Sequence, residues 1–504
     1  MNSTYYNSSI SLKQNVFAGV HKKRTIPFRA ILSITILLFL ISILSCKKLV
    51  DISPPADQIA DDNVYTTDGT AIAVLTGLYT DMSKPGIFAG IGSISLLTGL
   101  SADELTLYNG VTSPSYIGYY TNTLAISTAI GSDFWGPLYN YIYKCNAALA
   151  GLNASNSLTP LVKQQLMGEA TFLRAFYNFY LVNLFGDIPL PTTTDYQANS
   201  QLARTPVSQV YQKIITDLKS AQGMLNNDYL DGNLQPYTGD QERVRPTSWA
   251  ATALLARAYL YNGDYANAEA QATTLINHSS LYYLPSLSDA FLMNSTEAIW
   301  QLQPVLVGHN TEDGWTFILP SSGPSDGDNG NPVYLSTAQL NSFETDDQRK
   351  ISWIDSVTVT GTTYYFPHKY KSATLFAPLT EYLMVLRLSE QYLIRAEARA
   401  QQGNVSGAES DLNAIRARAG LPNTTANDKA SLLTACLRER RVELYTEWGH
   451  RWLDLKRTRN IDAIMNITTP LKSNGMQWKS YQQLFPLPLA DIQQVPGLTQ
   501  NPGY

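Results

Sequence analysis

Residues 251–270 read ATALLARAYLYNGDYANAEA, and residues 391–410 read QYLIRAEARAQQGNVSGAES. Small residues and a glycine recur at matching places, Ala256, Gly263 and Ala268 in the first and Ala396, Gly403 and Ala408 in the second. Both segments therefore read Ala-x6-Gly-x4-Ala. Alanines let two helices approach closely, and a glycine supplies the positive φ that ends the first of them. Each segment is read as a pair of helices joined by a tight turn.

This unit resembles the tetratricopeptide helix–turn–helix. The copies lie 140 residues apart, so the chain is not a simple tandem array. Helical spacing also runs over residues 67–82, 134–152, 161–185, 207–225, 247–277, 381–402, 405–419 and 430–457. The expected class is mainly α: tetratricopeptide-like helix pairs form a scaffold, with an inserted, irregular, loop-rich lobe containing a little β. That lobe is residues 281–380, where Gly, Pro, Asp and aromatic residues replace helical spacing. In it GHNTEDGWTFILPSSGPSDGDNGNPVY reads as a long exposed loop and SVTVTGTTYYF as a hairpin. A second irregular stretch, SADELTLYNGVTSPSYIGYYTN, covers residues 101–122.

The N-terminal end has a different character. An apolar block from Ala30 to Leu44 follows Lys22, Lys23, Arg24 and Arg29, and is too short for the roughly 20 apolar residues of a membrane-spanning helix. Residues 1–45 are read as a cleavable signal. The block ends at Ile43-Leu44-Ser45-Cys46, which resembles a bacterial lipobox; the resemblance implies cleavage after Ser45 and acylation of Cys46. Residues 46–66 form a lipid-anchored tether, residues 67–280 an N-terminal helical region and residues 381–504 a C-terminal one.

Removing residues 1–45 takes away five Lys/Arg and no acid, leaving 31 basic residues against 41 acidic. Such a balance gives no footing for a nucleic-acid partner. Cys145 and Cys436 are far apart in helical patterns and are read as small buried hydrophobes. Tyr is abundant at 31 residues, with 8 Trp; aromatic rings pack cores, and they also cover the C–H faces of sugars.

Chemistry finds little support. There are five His in all, no His-Glu-x-x-His, no Gly-x-Ser-x-Gly and no P-loop. Glu447-x-x-His450 is half of a di-iron motif without its second half. SDGDNGN lacks the glycine and closing glutamate of a calcium loop. No enzyme activity, metal or cofactor is expected. In GEATFLRAFYNFYLVNLFGDIPLPT, Thr171, Arg174 and Asn178 are the polar stripe of an otherwise apolar helix, and Arg174 is read as a structural ion pair. In LRERRVELYTEWGHRWLDLKR, Glu439, Glu443 and Glu447 recur every four residues with Arg440 and Arg451 available to pair. Arg441 and Trp452 are also assigned to the scaffold.

Four blocks, SCKKLVDISPP, ATFLRAFYNFYLVNLFGDIPL, RERRVELYTEWGHRWLDLKR and LFPLPLADIQQVPGLTQNPGY, resemble in content and order the SusD/RagB family of outer-membrane nutrient-binding lipoproteins. The resemblance implies a non-enzymatic protein, lipid-anchored on the outer face of the outer membrane. It would capture oligosaccharides, or peptides in the RagB-like branch, for a SusC-like TonB-dependent transporter. A tetratricopeptide protein-interaction scaffold is the alternative from another class. Lys47 and Lys48 depart from the acidic residues that often follow the anchor cysteine of surface-exported lipoproteins. A sugar surface needs rings beside hydrogen-bonding groups in loops, which directs attention to Asp103, Tyr108 and Asn109 in one irregular stretch and Trp315 and Tyr334 in the other.

Overall fold

The computed structural model describes residues 64–126, 131–326 and 330–504. The signal, Cys46 and the tether as far as residue 63 lie outside the described residues. Helices α1 (Asp68–Ser83) and α2 (Ile94–Ser101) precede strand β1 (Leu105–Leu107). Then follow α3 (Trp135–Ala154), α4 (Pro160–Phe185), α5 (Val207–Met224), α6 (Ser248–Tyr261) and α7 (Tyr265–Ile276). The middle of the chain carries β2 (Ala298–Leu302), β3 (Val333–Leu335), β4 (Ile354–Val359), β5 (Thr362–Pro367) and β6 (Leu383–Arg387). Helices α8 (Leu388–Gln401), α9 (Val405–Arg418), α10 (Lys429–Glu443), α11 (His450–Arg457) and α12 (Ile461–Lys472) close the fold. The protein is mainly α, with short strands.

Both Ala-x6-Gly-x4-Ala segments fold as their spacing demands. Gly263 and Gly403 take φ of +77° and +81°, just past the ends of α6 and α8. Asp264 and Asn404 then cap α7 and α9 by accepting the N–H groups of Asn267 and Gly407. Ala256, Ala268, Ala396 and Ala408 are fully buried between the paired helices. The units also pack on one another, α7 against α8, and each helix from α3 to α9 packs on the next. The stack is continuous in space because the intervening residues leave it and return.

Helix α4 is buried along almost its whole length. Phe176 lies 5.5 Å from both Trp300 and Trp448, ring to ring, in edge-to-face geometry, so three distant segments share one aromatic core. Cys145 and Cys436 are buried free thiols.

Three expectations need correction. The helix read over residues 381–402 begins as β6, antiparallel to β2, and turns helical only at Leu388. The run 430–457 breaks at residues 444–449, where Thr446, Trp448 and Gly449 all have positive φ. That break lets the Trp448 N–H donate to Ser95 Oγ on α2 at 2.8 Å, contact a straight helix could not make. The stretch read as an exposed loop contains the short helix Glu312–Phe317, and its Asn310, Thr311, Asp313 and Thr316 are buried. Asn310 Oδ1 accepts the Thr380 and Glu381 N–H groups and its amide donates to Ser372 Oγ and Pro378 O, which holds the segment inward.

Candidate functional site

Strand β1 comes from one irregular stretch and β3 from the other. They pair antiparallel with Thr106 opposite Tyr334, and the Tyr108 N–H extends the ladder by donating to Pro332 O at 2.8 Å. Tyr108 and Tyr334, 226 residues apart in sequence, are thereby brought together. The hairpin β4–β5 adds Tyr364, whose ring meets Tyr334 at 5.1 Å and Tyr108 at 6.3 Å, both edge-to-face. All three rings are half-buried. None of their hydroxyls has a hydrogen-bond partner among the described residues, so three phenols are free to bond a ligand.

The local sequence supports this arrangement. A Cβ on Gly110 would lie 2.5 Å from the Tyr108 ring, so only glycine lets that ring fold back over the loop. Thr112 ties the same loop to the opposite one, its N–H and hydroxyl both donating to Asp326 at 3.2 and 2.7 Å. The Thr360–Gly361 turn of the hairpin has positive φ at both positions, as a two-residue turn requires.

Asn109 is exposed beside Tyr108. Trp315, half-buried, stacks on His309 at 4.5 Å, and His309 in turn bonds Glu312 at 2.9 Å. Asp103 is placed elsewhere than expected. It is 4% exposed and holds Arg451 through two bonds of 2.7 and 2.9 Å, with Arg441 at 2.9 Å. Burial would raise its carboxyl, but the Arg451 and Arg441 guanidinium groups outweigh that and hold it at about 2. Asp103 thus anchors the strand beneath the rings rather than facing a ligand. The sequence marks the hairpin but not Tyr364 within it, because alternation alone cannot say which of Tyr364 and Tyr365 turns toward the loops.

The three residues assigned to the scaffold have these surroundings. Arg174 donates to both Asp217 oxygens at 3.0 Å and to Asn146, joining α4 to α5 and α3. Arg441 also donates to Gln339 at 3.2 Å. Trp452 is fully buried against Trp478 and Phe485.

The glutamates Glu439 and Glu443 of α10 and Glu447 just beyond it depart from their expected partners. Arg440 pairs with Asp454 and Arg451 with Asp103, while Glu443 is met by Arg387, Arg349 and Arg418 and Glu447 by Arg387 and Lys369. Burial opposes ionisation of Glu443, and Arg418, Arg387 and Arg349 together hold its carboxyl well below the usual range. The ladder points into the fold, so its counter-charges come from other elements. Glu447 is consumed in this network; no three His, Cys, Asp or Glu among the described residues are arranged to hold a metal. The SDGDNGN stretch runs into residues 327–329, outside the described residues.

Residues 102–260 match the family model described as "Starch-binding associating with outer membrane", and residues 355–504 match the SusD family model. The chain belongs to the SusD family. A SusD-like protein, P2, of Formosa agariphila is 24% identical over 526 residues, covering 94% of this chain and 99% of the relative. A solved SusD superfamily protein of Parabacteroides distasonis is 25% identical, with a TM-score of 0.72 over 86% of this chain and 99% of that one. A laminarin binding SusD-like protein is 23% identical, with a TM-score of 0.69 over 87% and 100% of the two chains. In this SusD-family chain Tyr108 falls in the first matched stretch, Tyr364 in the second, and Tyr334 in residues 261–354 between them. The ring cluster is assembled from all three parts.

Proposed function

We propose that this protein is a surface lipoprotein that binds oligosaccharides and delivers them to a SusC-like TonB-dependent transporter for import across the outer membrane. The observation that carries the reading is the convergence of Tyr108, Tyr334 and Tyr364. Aromatic faces cover the C–H surface of a pyranose, while free phenol hydroxyls and the exposed Asn109 side chain bond its hydroxyls. Trp315 with His309 forms a second stacked pair in the same lobe. The laminarin binding relative and the starch-binding, outer-membrane description of the matched family support a glycan and a membrane setting. Anchoring through acylated Cys46 would keep the site at the membrane, and facing the exterior would give it first access to the glycan. The role is capture, without catalysis or cofactor.

The test is calorimetric titration of the purified chain with a panel of polysaccharides, repeated on Tyr108→Ala and Tyr364→Ala. A glycan that binds the wild type should bind both variants more weakly, with thermal midpoints little changed. Equal affinity in wild type and variants would move the site elsewhere. Binding of peptides in place of any glycan would favour the RagB-like reading.

A further inference from the structure

The segments that carry the ring cluster share a compositional property. No lysine or arginine occurs in residues 85–143, 258–348 or 351–368, whereas Asp326 and Asp355 lie exposed in them. Several cations on flanking elements are already engaged. Arg441 and Arg451 are held by Asp103. Lys369 donates to the carbonyls of Glu443 and Tyr445 and to Glu447. Lys371 donates to the carbonyls of Ser352 and His368. Lys472 lies 5.1 Å from the Tyr120 ring, yet its ammonium is turned to the carbonyls of Leu100 and Ala102.

An anionic sugar surrenders strong hydration on binding, and a guanidinium or ammonium partner must replace it. The segments that carry the rings supply none, and the exposed Asp326 carboxylate accepts from Thr112, four residues after Tyr108 in sequence. Its like charge would oppose an anion bound within about 8 Å, the screening length at physiological salt. We infer that the surface formed by Tyr108, Tyr334 and Tyr364 selects uncharged glycans and rejects chains bearing uronates or sulfates. The inference rests on the glycan-capture reading above.

The experiment titrates the full chain, detergent-solubilised, with laminarin, starch, xylan and galactomannan, and with alginate, polygalacturonate and carrageenan. Expected is binding of a neutral polymer that is insensitive to salt and weakened by Tyr364→Ala, with every anionic polymer at least about tenfold weaker, the equivalent of 1.4 kcal/mol. Asn109→Lys should gain alginate binding that disappears at high salt. An anionic polymer bound as tightly as any neutral one, with loss on Tyr364→Ala, overturns the charge selection and leaves glycan capture standing. Failure of Asn109→Lys to gain any alginate binding also counts against charge selection. No binding of any polymer, or binding indifferent to Tyr364→Ala, overturns both.

Discussion

Tyr334 meets Tyr364 edge-on, with ring centroids 5.1 Å apart and planes at 78°. The two rings stand on strands of different two-stranded sheets, so their contact joins the β1–β3 ribbon to the β4–β5 hairpin. A double-mutant cycle on Tyr334→Ala and Tyr364→Ala, read by urea denaturation, should give a coupling of about 0.5–1.5 kcal/mol. Strict additivity would mean that the two sheets are held together by other contacts.

Truncation of the scaffold residues should cost stability in a definite order. Trp452→Ala opens a cavity in a fully buried site and should cost about 3–5 kcal/mol. Arg174→Ala leaves Asp217 with Lys213 at 2.7 Å as its remaining partner, so its cost should be smaller. Arg441→Ala should cost least, because Arg451 still neutralises Asp103. Urea midpoints of the three variants give the order directly. Glycan affinity of the folded fraction should be unchanged in Trp452→Ala and Arg174→Ala, which touch no residue of the ring cluster.

Arg387 sits at the centre of the buried network and donates to Glu297, Glu443 and Glu447. Arg387→Met should destabilise by about 3–5 kcal/mol, since it removes the counter-charge shared by three buried carboxylates and leaves them to Arg418, Arg349 and Lys369. Replacing Arg387 and Glu447 together should cost less than the sum of the single changes. Equal or greater cost for the pair would show that the network contributes no net coupling.

Glu104 lies next to Asp103 with one carboxyl oxygen buried and unpartnered. Burial, against a bond from the Thr446 backbone, pushes its carboxyl up to about 7, and burial does the same to Asp313. A carboxyl whose folded pKa exceeds its unfolded value of about 4 contributes stability that is full below that unfolded value. The contribution is lost as pH rises through the folded value. Asp103, held at about 2, acts in the opposite sense, its contribution present above about 4 and lost as pH falls toward 2. Glu104→Gln should therefore gain on the wild type between about pH 4 and pH 7 and hold a constant lead above that, in urea midpoints measured across the range. Parallel curves for the two proteins would place the ionisation elsewhere.

Acylation at Cys46 predicts that Cys46→Ala abolishes fatty-acid labelling and releases the chain from the membrane fraction. One buried acyl CH₂ contributes about 0.8 kcal/mol, so loss of the chains removes the anchor altogether. Among the described residues no helix is long and apolar enough to cross a membrane, so none of these offers a second hold of that kind. Unlabelled wild-type protein would exclude the lipobox reading.

The helix pairs are legible in the sequence, because Ala256, Gly263 and Ala268, with Ala396, Gly403 and Ala408, act through local geometry: close helix approach and one positive φ. So is the hairpin, since Thr360 and Gly361 specify the turn at short range. Tertiary structure alone decided three other matters. It broke the run 430–457 at Leu444–Gly449 because Trp448 gains a partner on α2, 353 residues away. It supplied the glutamates of α10 with arginines from other elements, because a ladder facing inward cannot be neutralised by residues on its own outer face. It also gathered Tyr108, Tyr334 and Tyr364 while turning Asp103 inward, since strand pairing between distant segments sets which side chains share a face, and no local pattern encodes that choice.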